Sequence, residues 1–171
     1  MIGLDRNLVQ LTEYQTAWKD AFNKELTILT PVLKNYTKHI VHVGSTSIPG
    51  LKSKPIIDIQ GELIGGIIMI EEFKVKLLEI GYFKSDKVDS LNHVLFEKGE
   101  PTSIHLHMMS NGHPLVEKQL QFRDYLRKFP EKKREYEELK SRLAQEFPKD
   151  RSQYLNGKAD FISSVCKELK K

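Results

Sequence analysis

The chain has 171 residues, of which 39% are hydrophobic and 29% are charged, and its net charge is +4. This length predicts one domain over residues 1–171, and the balance of apolar and charged residues excludes a long disordered chain. Basic and acidic residues are interleaved along the C-terminal half, which is typical of a solvated helix face, so nucleic acid is not expected as a partner.

Three elements are predicted before residue 61 from the spacing of apolar residues. They are a helix from about residue 14 to 30, a strand over 39–43 and a strand over 55–60. Pro31 predicts that the helix kinks or stops near Thr30. Alternation in the second strand places Ile57 on one face and Asp58 and Gln60 on the other.

The rest of the chain predicts a helix, a hairpin and three further helices. They are a helix over 65–80, strands over 92–98 and 102–109, and three helices separated by prolines 130 and 148. Gly81 is expected to end the first of these helices. This order predicts an α/β (α+β) domain with a small mixed β-sheet, flanking helices and a helical C-terminal third.

The number of cysteines and the hydropathy of the chain indicate the cellular compartment in which the protein is expected. Cys166 is the single cysteine, so no intrachain disulfide can form. The N-terminus lacks a basic segment followed by an apolar run, and the longest apolar run, Ile67 to Ile70, is too short to cross a bilayer. A cytoplasmic protein with no membrane partner is therefore expected.

The loop between the first two strands has a composition suited to phosphate. Gly44 allows backbone N–H groups to approach phosphate oxygens, and Lys52 and Lys54 add positive charge. The hydroxyl donors in this loop are Ser45, Thr46 and Ser47. Asp58, at the following strand, could hold a divalent cation that bridges the phosphates. Composition alone fits a tight β–β connection with a solvent-facing Asp58 equally well.

The order of residues is more specific than their composition. Residues 42–59, His-Val-Gly-Ser-Thr-Ser-Ile-Pro-Gly-Leu-Lys-Ser-Lys-Pro-Ile-Ile-Asp-Ile, resemble the signature of the GrpB family, an uncharacterised family also designated UPF0157. Residues 102–107, Thr-Ser-Ile-His-Leu-His, and 122–127, Phe-Arg-Asp-Tyr-Leu-Arg, are similar to later segments of the family. The resemblance continues through Tyr136–Leu143, Arg151, Tyr154 and Lys158, and it covers about residues 14 to 161.

This resemblance implies a nucleotidyltransferase-like fold. In active members of that superfamily, a Gly-Ser pair holds a triphosphate, and an Asp-x-Asp pair with a third carboxylate binds two metal ions. Gly44 and Ser45 match the first feature, and Asp58 matches the first carboxylate. Gln60 stands at the second carboxylate position, and residues 104–109 contain no Asp or Glu.

Histidines occupy that later strand instead. A hairpin centred on Glu100 would place His93 opposite His107 and would bring both onto the same side of the sheet as His105. If Asp58 shares that side, it joins the three histidines. Mg²⁺ or Mn²⁺ is the expected cofactor of a carboxylate site, and Zn²⁺ is expected if the histidines bind a metal. The alternative is a set of hydrogen-bonded histidines on a solvent-exposed face of the sheet, without a metal.

Cations interrupt two apolar helix stripes. Arg151 and Lys158 lie on the inward stripe of the last helix, where they either reach the Gly44 loop as phosphate ligands or extend their charged ends to water. Arg123 and Arg127 allow the same two interpretations, and their spacing from Asp124 favours pairing on the helix surface.

The sequence supports three hypotheses about function. The first is a nucleotidyltransferase-superfamily enzyme that binds a nucleotide or another phosphate-bearing small molecule, with Asp58 catalytic and Arg151 and Lys158 neutralising phosphate charge. The second is a non-catalytic ligand-binding or regulatory module with a vestigial active site, and the third is a metal-dependent hydrolase that uses Asp58 and the histidines. A further carboxylate near Asp58, for example Glu62 or Glu97, would favour nucleotidyl transfer. The substrate and the oligomeric state do not follow from the sequence.

Overall fold

The computed structural model describes residues 2–5 and 8–169. The helices are α1 (Ala17–Leu33), α2 (Lys74–Glu79), α3 (Pro114–Lys128), α4 (Pro130–Glu146), α5 (Arg151–Asn156) and α6 (Ala159–Glu168). The strands are β1 (Thr37–Val43), β2 (Ile57–Leu63), β3 (Phe83–Ser90), β4 (His93–Lys98) and β5 (Ile104–Met109). Two short 3₁₀ helices, Ser45–Ser47 and Ile67–Glu72, precede β2 and α2. No helix in the described ranges has the length and apolar character needed to cross a membrane.

The five strands form one mixed sheet in the order β1-β2-β5-β4-β3. Strands β2 and β5 run parallel, and the other neighbouring pairs are antiparallel. The predicted mixed α/β class is confirmed, but β3 was not predicted from the sequence. Its sequence, Phe-Lys-Ser-Asp-Lys-Val-Asp-Ser, is rich in charge because an edge strand is protected by charged residues rather than by an apolar face.

The two faces of the sheet differ in chemistry because side chains alternate along each strand. One face is apolar and buries Ile59, Leu106 and Phe96 against α1 and α2. The other face carries Asp58 and His105, and the C-terminal helices lie over it. Those helices have their own cores around the 44–54 loop, which contain Ile48, Leu51, Tyr125, Leu126, Tyr136 and Val165 in one cluster and Val9, Leu143 and Tyr154 in another. The cleft therefore lies between a polar sheet face and a helical layer.

Three predicted helices differ from the structure, and the stop that was one of the two alternatives near Thr30 does not occur. Helix α1 continues through Pro31 to Leu33, because Pro31 lies in the last turn and the fully buried Leu33 anchors that turn in the core. The predicted last helix is two helices, α5 and α6. Gly157 joins them and lies so close to Leu143 that a Cβ at this position would be 2.4 Å from Leu143 Cδ2. The segment predicted as a helix over 65–80 is the second 3₁₀ helix followed by α2, and it ends before Gly81 as expected.

The predicted hairpin register is also wrong, by two residues. His93 pairs with Met109, and Glu97 pairs with His105, because the connection from β4 to β5 spans residues 99–103 rather than three residues. A shift of two residues preserves the side to which each side chain points. The histidines therefore still share the face of Asp58, and Glu97 joins them.

Candidate functional site

A cleft of about 1130 Å³ lies between the polar sheet face and the C-terminal helices. Ten of the residues singled out from the sequence line it, namely Gly44, Ser45, Thr46, Lys54, Asp58, His105, His107, Arg123, Arg151 and Lys158. Ser47 and His93 are buried and are not among the residues that line it. The cleft gathers side chains from β2, β5, α3, α5 and the segment before α6, which are far apart in the sequence.

An Asp/His cluster, defined as Asp58, His105 and His107, occupies the sheet side of the cleft. His105 Nδ1 lies 3.0 Å from Asp58 Oδ1, and His107 Nε2 lies 3.8 Å from the same oxygen. Burial disfavours the charged carboxylate, but the hydrogen bond from His105 and the proximity of His107 outweigh burial and hold the pKa of Asp58 well below its usual range. One ligand atom from each of the three residues lies within 4.8 Å of the others, a spacing at which they can hold a single metal ion.

Each histidine of the cluster has a second partner. His105 Nε2 lies 3.3 Å from Glu97 Oε1, and His107 Nδ1 lies 3.0 Å from His93 Nε2. Burial lowers the pKa of His93 to about 4, so this imidazole is neutral near pH 7. Glu97 is one of the two carboxylates predicted from the sequence as candidates for a place near Asp58. Glu62, the other candidate, lies farther along β2 and binds Lys38.

The Gly44 turn holds the carboxylate of Asp58 from the opposite side. Gly44 has φ +68° and ψ −175°, a backbone conformation that is essentially restricted to glycine. A Cβ at Gly44 would be 2.2 Å from Asp58 Oδ2. The backbone of the loop therefore touches the carboxylate, and only a residue without a side chain fits there.

The hydroxyl groups of the loop are largely used within the fold. Ser47 Oγ donates to the Gly44 carbonyl at 2.6 Å, and Thr46 Oγ1 donates to the Ile56 carbonyl at 3.1 Å. Ser45 lies beside the side chain of Tyr136. All three hydroxyls were expected to bind phosphate directly. Ser45 is the best candidate for this role, because it lines the cleft and is only partly buried.

A basic cluster, defined as Lys54, Lys140, Arg151 and Lys158, lines the helical side of the cleft. Burial and mutual repulsion lower the pKa of Lys54 to about 8 and the pKa of Lys140 and Lys158 to about 7. Lys140 is 1% exposed and donates to the Lys52 carbonyl. Lys158 Nζ lies 4.3 Å from the ring centroid of Tyr154, an attractive cation–π contact.

Lys140 was not predicted from the sequence as a site residue. It interrupts the apolar stripe of Tyr136 and Leu143 in the same way that Lys158 interrupts the apolar stripe of the last predicted helix.

Arg123 has a structural role besides lining the cleft. Its guanidinium binds Asp124 at 2.8 Å, as the spacing predicted, and donates to the His42 carbonyl at 2.9 Å. Arg127 likewise donates to the Ser47 carbonyl. Arg123 therefore attaches α3 to the end of β1, and Arg127 attaches it to the loop that follows.

The basic cluster makes the stability of the ligand-free protein depend on pH. Because the pKa of Lys54, Lys140 and Lys158 is lower in the folded chain than the ordinary 10.5, the unfolded chain binds more protons between about pH 7 and 10. We expect the free energy of unfolding to rise from pH 7 to pH 9, by up to about 1.4 kcal/mol per pH unit for each group. Urea unfolding in phosphate-free buffer measures this slope. A flat or falling profile would contradict it.

Comparisons with known proteins identify relatives along nearly the whole chain. A family model described as GrpB protein matches residues 8–168. The glutamate-rich protein GrpB of Alkalihalophilus pseudofirmus is 33% identical over 177 residues, which cover 99% of this chain and 100% of that protein. The UPF0157 protein YqkA of Bacillus subtilis is 34% identical over 164 residues, which cover 95% of this chain but 48% of YqkA. The chain thus spans about half the length of YqkA.

Solved structures show the same fold. The conserved protein GrpB from Enterococcus faecalis has a TM-score of 0.84 and 32% identity, with 93% of this chain and 96% of that chain covered. The Cid1 poly(U) polymerase with Mg 3′-dATP bound has a TM-score of 0.58 and 13% identity, with 79% of this chain and 43% of that chain covered. The second likeness shows that the fold is nucleotidyltransferase-like.

Proposed function

The chain belongs to the GrpB family, and on that premise we propose that it binds a nucleotide or another phosphate-bearing ligand in the cleft beside Asp58. A divalent cation at the Asp/His cluster would accompany the ligand. The observation that carries this proposal is the charge of the cleft lining. Seven cationic side chains line the cleft, namely Lys54, Lys87, Lys118, Arg123, Lys140, Arg151 and Lys158. Among the described lining residues, Asp58 is the one carboxylate.

The described part of the protein does not place enough negative charge beside the basic cluster to balance its positive charge. Confining several cations where burial already lowers the pKa of Lys140 and Lys158 is costly, and an anion with several charges would remove that cost. A polyphosphate has this charge and extends over several ångströms. Ammonium and guanidinium groups bind phosphate oxygens directly, so the basic cluster provides the chemistry that such a ligand requires.

The helical side of the cleft also offers an apolar surface and an unused acceptor. Leu115, Phe122 and Ile162 line it beside Gln119. The amide oxygen of Gln119 is buried without a hydrogen-bond partner in the described part of the chain. A buried acceptor of this kind calls for a donor from a ligand. A nucleobase, with an apolar face and N–H groups on its edge, satisfies both features.

The two-ion carboxylate site of the nucleotidyltransferase superfamily fits these residues poorly, because Gln60 and the histidines replace two of its acids. A single cation fits the Asp/His cluster. When bound, it would polarise phosphoryl oxygens as a Lewis acid. The protein would contribute Lys158 and Arg151 to neutralise phosphate charge, and the Gly44 turn to hold Asp58 in place. No serine, cysteine or lysine nucleophile beside a base is needed, since an acceptor substrate supplies the attacking group.

A metal-dependent hydrolase is the second candidate, and the openness of the Asp/His cluster favours it. Asp58 retains 29% side-chain exposure and His107 retains 16%, both toward the cleft. One carboxylate and two imidazoles leave coordination positions for a water molecule as well as for a phosphate. The two candidates share the binding site and differ in whether water or a second substrate attacks.

Thermal unfolding against nucleoside triphosphates, each with Mg²⁺, Mn²⁺, Zn²⁺ or no metal, tests the proposal. A ligand at about a hundred times its Kd stabilises the folded state by about 2.7 kcal/mol, which raises the midpoint by about 5–10 °C. We expect a shift that is largest with triphosphate and metal together. Asp58→Asn should remove the metal-dependent part, and Asp20→Asn, an exposed acid of α1, should retain it. No shift with any combination would refute the proposal and favour a vestigial cleft.

A further inference from the structure

We propose that the Asp/His cluster is a site for one zinc-class transition-metal ion rather than for magnesium, and that Glu97 and His93 are positioning residues that orient its two imidazole ligands. This inference rests on the proposed function, because it specifies the cation of that site. It also makes a separate claim, since the metal should bind without any phosphate ligand.

The inner ligand set favours nitrogen-binding metals. Asp58 offers one carboxylate, His105 offers Nδ1 and His107 offers Nε2, with all three atoms facing one another. Two imidazoles and one carboxylate are a common set for Zn²⁺ and neighbouring transition ions. Magnesium prefers oxygen ligands in octahedral geometry and is bound mainly through carboxylates, phosphates and water.

The sheet register explains why this set replaces a carboxylate set. Asp58 pairs with His105, and Gln60 pairs with His107, across the parallel strands β2 and β5. At the two positions where a second and a third acid would lie beside Asp58, the chain therefore presents an amide and imidazoles. Gln60 is fully buried, and its Nε2 contacts His39 Nε2 at 3.5 Å, away from the Asp/His cluster.

Glu97 holds the outer nitrogen of His105. Its Oε1 lies 3.3 Å from His105 Nε2, because the two residues are directly paired between β4 and β5. Lys87 Nζ contacts the same carboxylate oxygen at 2.5 Å and keeps it charged and in place. In the metal-free chain His105 Nδ1 is hydrogen-bonded to Asp58, and Nε2 is buried beside Glu97 without a hydrogen bond to any residue that the structure describes. With a metal bound, the proton of His105 would move to Nε2, facing Glu97, and Nδ1 would present its lone pair to the ion. A carboxylate behind a histidine ligand is the usual device for fixing its tautomer and raising its basicity.

His93 has the same function for His107. His93 Nε2 lies 3.0 Å from His107 Nδ1, within hydrogen-bond distance. If His107 Nε2 binds the metal, His107 Nδ1 carries the proton and donates it to His93 Nε2. The buried His93 then acts as the acceptor. Both histidine ligands thus have a buried partner on the nitrogen that faces away from Asp58. A merely polar histidine face would not require this matched arrangement.

The test is metal titration of the chelator-stripped protein, residues 1–171, without nucleotide. Calorimetry and competition with a chelating dye give the affinities for Zn²⁺, Co²⁺, Mn²⁺ and Mg²⁺, and the visible absorption of bound Co²⁺ reports its ligands. We expect one ion per chain and Zn²⁺ binding at least about 100-fold tighter than Mg²⁺. Asp58→Asn and His107→Ala should abolish binding.

The positioning role is tested by Glu97→Gln and His93→Phe, which keep all three ligands. Each should weaken Zn²⁺ affinity by about 10–100-fold and change the Co²⁺ spectrum. Glu62→Gln is the matched control, since Glu62 is a buried, hydrogen-bonded carboxylate on β2 that binds Lys38 and the Gly112 N–H instead. Its Zn²⁺ affinity should match the unmodified chain. Circular dichroism of each metal-free variant verifies folding.

Two results would overturn the inference: Mg²⁺ binding as tight as Zn²⁺, or unchanged Zn²⁺ affinity and Co²⁺ spectrum in both Glu97→Gln and His93→Phe. Inorganic triphosphate binding with a chelator present separates this outcome from a failure of the proposed function. Triphosphate binding without any Zn²⁺ binding would overturn the metal inference alone. Zn²⁺ binding without any affinity for phosphate ligands would overturn the phosphate-binding proposal alone.

Discussion

Replacing Gly44 with alanine is expected to lower the free energy of unfolding by about 2–4 kcal/mol and to displace Asp58. The backbone of Gly44 has φ +68° and ψ −175°, where an alanine costs about 1–3 kcal/mol. The added methyl group would also lie 2.2 Å from Asp58 Oδ2, so either the loop or the carboxylate must move. Moving the carboxylate breaks its 3.0 Å hydrogen bond with His105. Urea unfolding measures the loss.

Gly112→Ala is the matched control for the backbone contribution. Gly112 also has a positive φ, +72°, but a Cβ there would meet no atom within 4 Å. Gly112→Ala should therefore cost less than Gly44→Ala, because it adds no contact with a carboxylate. A double-mutant cycle with Asp58→Ala should give a coupling energy of about 1 kcal/mol or more, because removing the carboxylate makes room for the methyl group. Additive effects of the two substitutions would show that the turn does not hold Asp58.

The side of the sheet that forms the site could be predicted from the sequence, whereas the partners within it could not. Alternation alone placed Asp58 opposite to Ile57 and Ile59, and it placed His105 and His107 together. That result survived a register error of two residues because side chains repeat with a period of two. Identifying Glu97 as the partner of His105 required the true register, which depends on the length of the 99–103 connection. Loop geometry of this kind is not encoded in apolar spacing.

On the helical side of the cleft, only some of the buried basic residues could be predicted from the sequence. Lys158 and Arg151 stood out because a cation on an inward stripe needs a partner, and the structure places both on the cleft. Lys140 satisfies the same criterion between Tyr136 and Leu143, and it is more deeply buried than either. In the sequence of a highly charged helix, a buried lysine looks the same as a lysine whose aliphatic stem packs on the protein while its ammonium group reaches water. Only the tertiary packing of α4 on the 44–54 loop distinguishes the two.

Lys158→Met is expected to change stability and ligand binding in opposite directions. Burial and the nearby Lys54 lower the pKa of Lys158 to about 7, so at pH 6.5 its charge destabilises the folded chain. Methionine retains the apolar stem and removes that charge, at the loss of the cation–π contact with Tyr154. We expect the midpoint of the ligand-free protein to rise by about 2–4 °C at pH 6.5, equivalent to about 1 kcal/mol. Calorimetry at pH 6.5 and pH 9 should show the gain shrinking at the higher pH.

The same substitution should weaken binding of inorganic triphosphate at least about tenfold, a loss of about 1.4 kcal/mol, because one ammonium group leaves the basic cluster. Lys132→Met is the control, since Lys132 lies on the outer surface of α4 in an ion pair with Glu135. It should leave both the midpoint and the affinity nearly unchanged. A Lys158→Met protein that is less stable at pH 6.5 and binds triphosphate normally would show that Lys158 is a structural residue. A gain in stability at the expense of affinity is instead typical of a charge that is kept for a ligand.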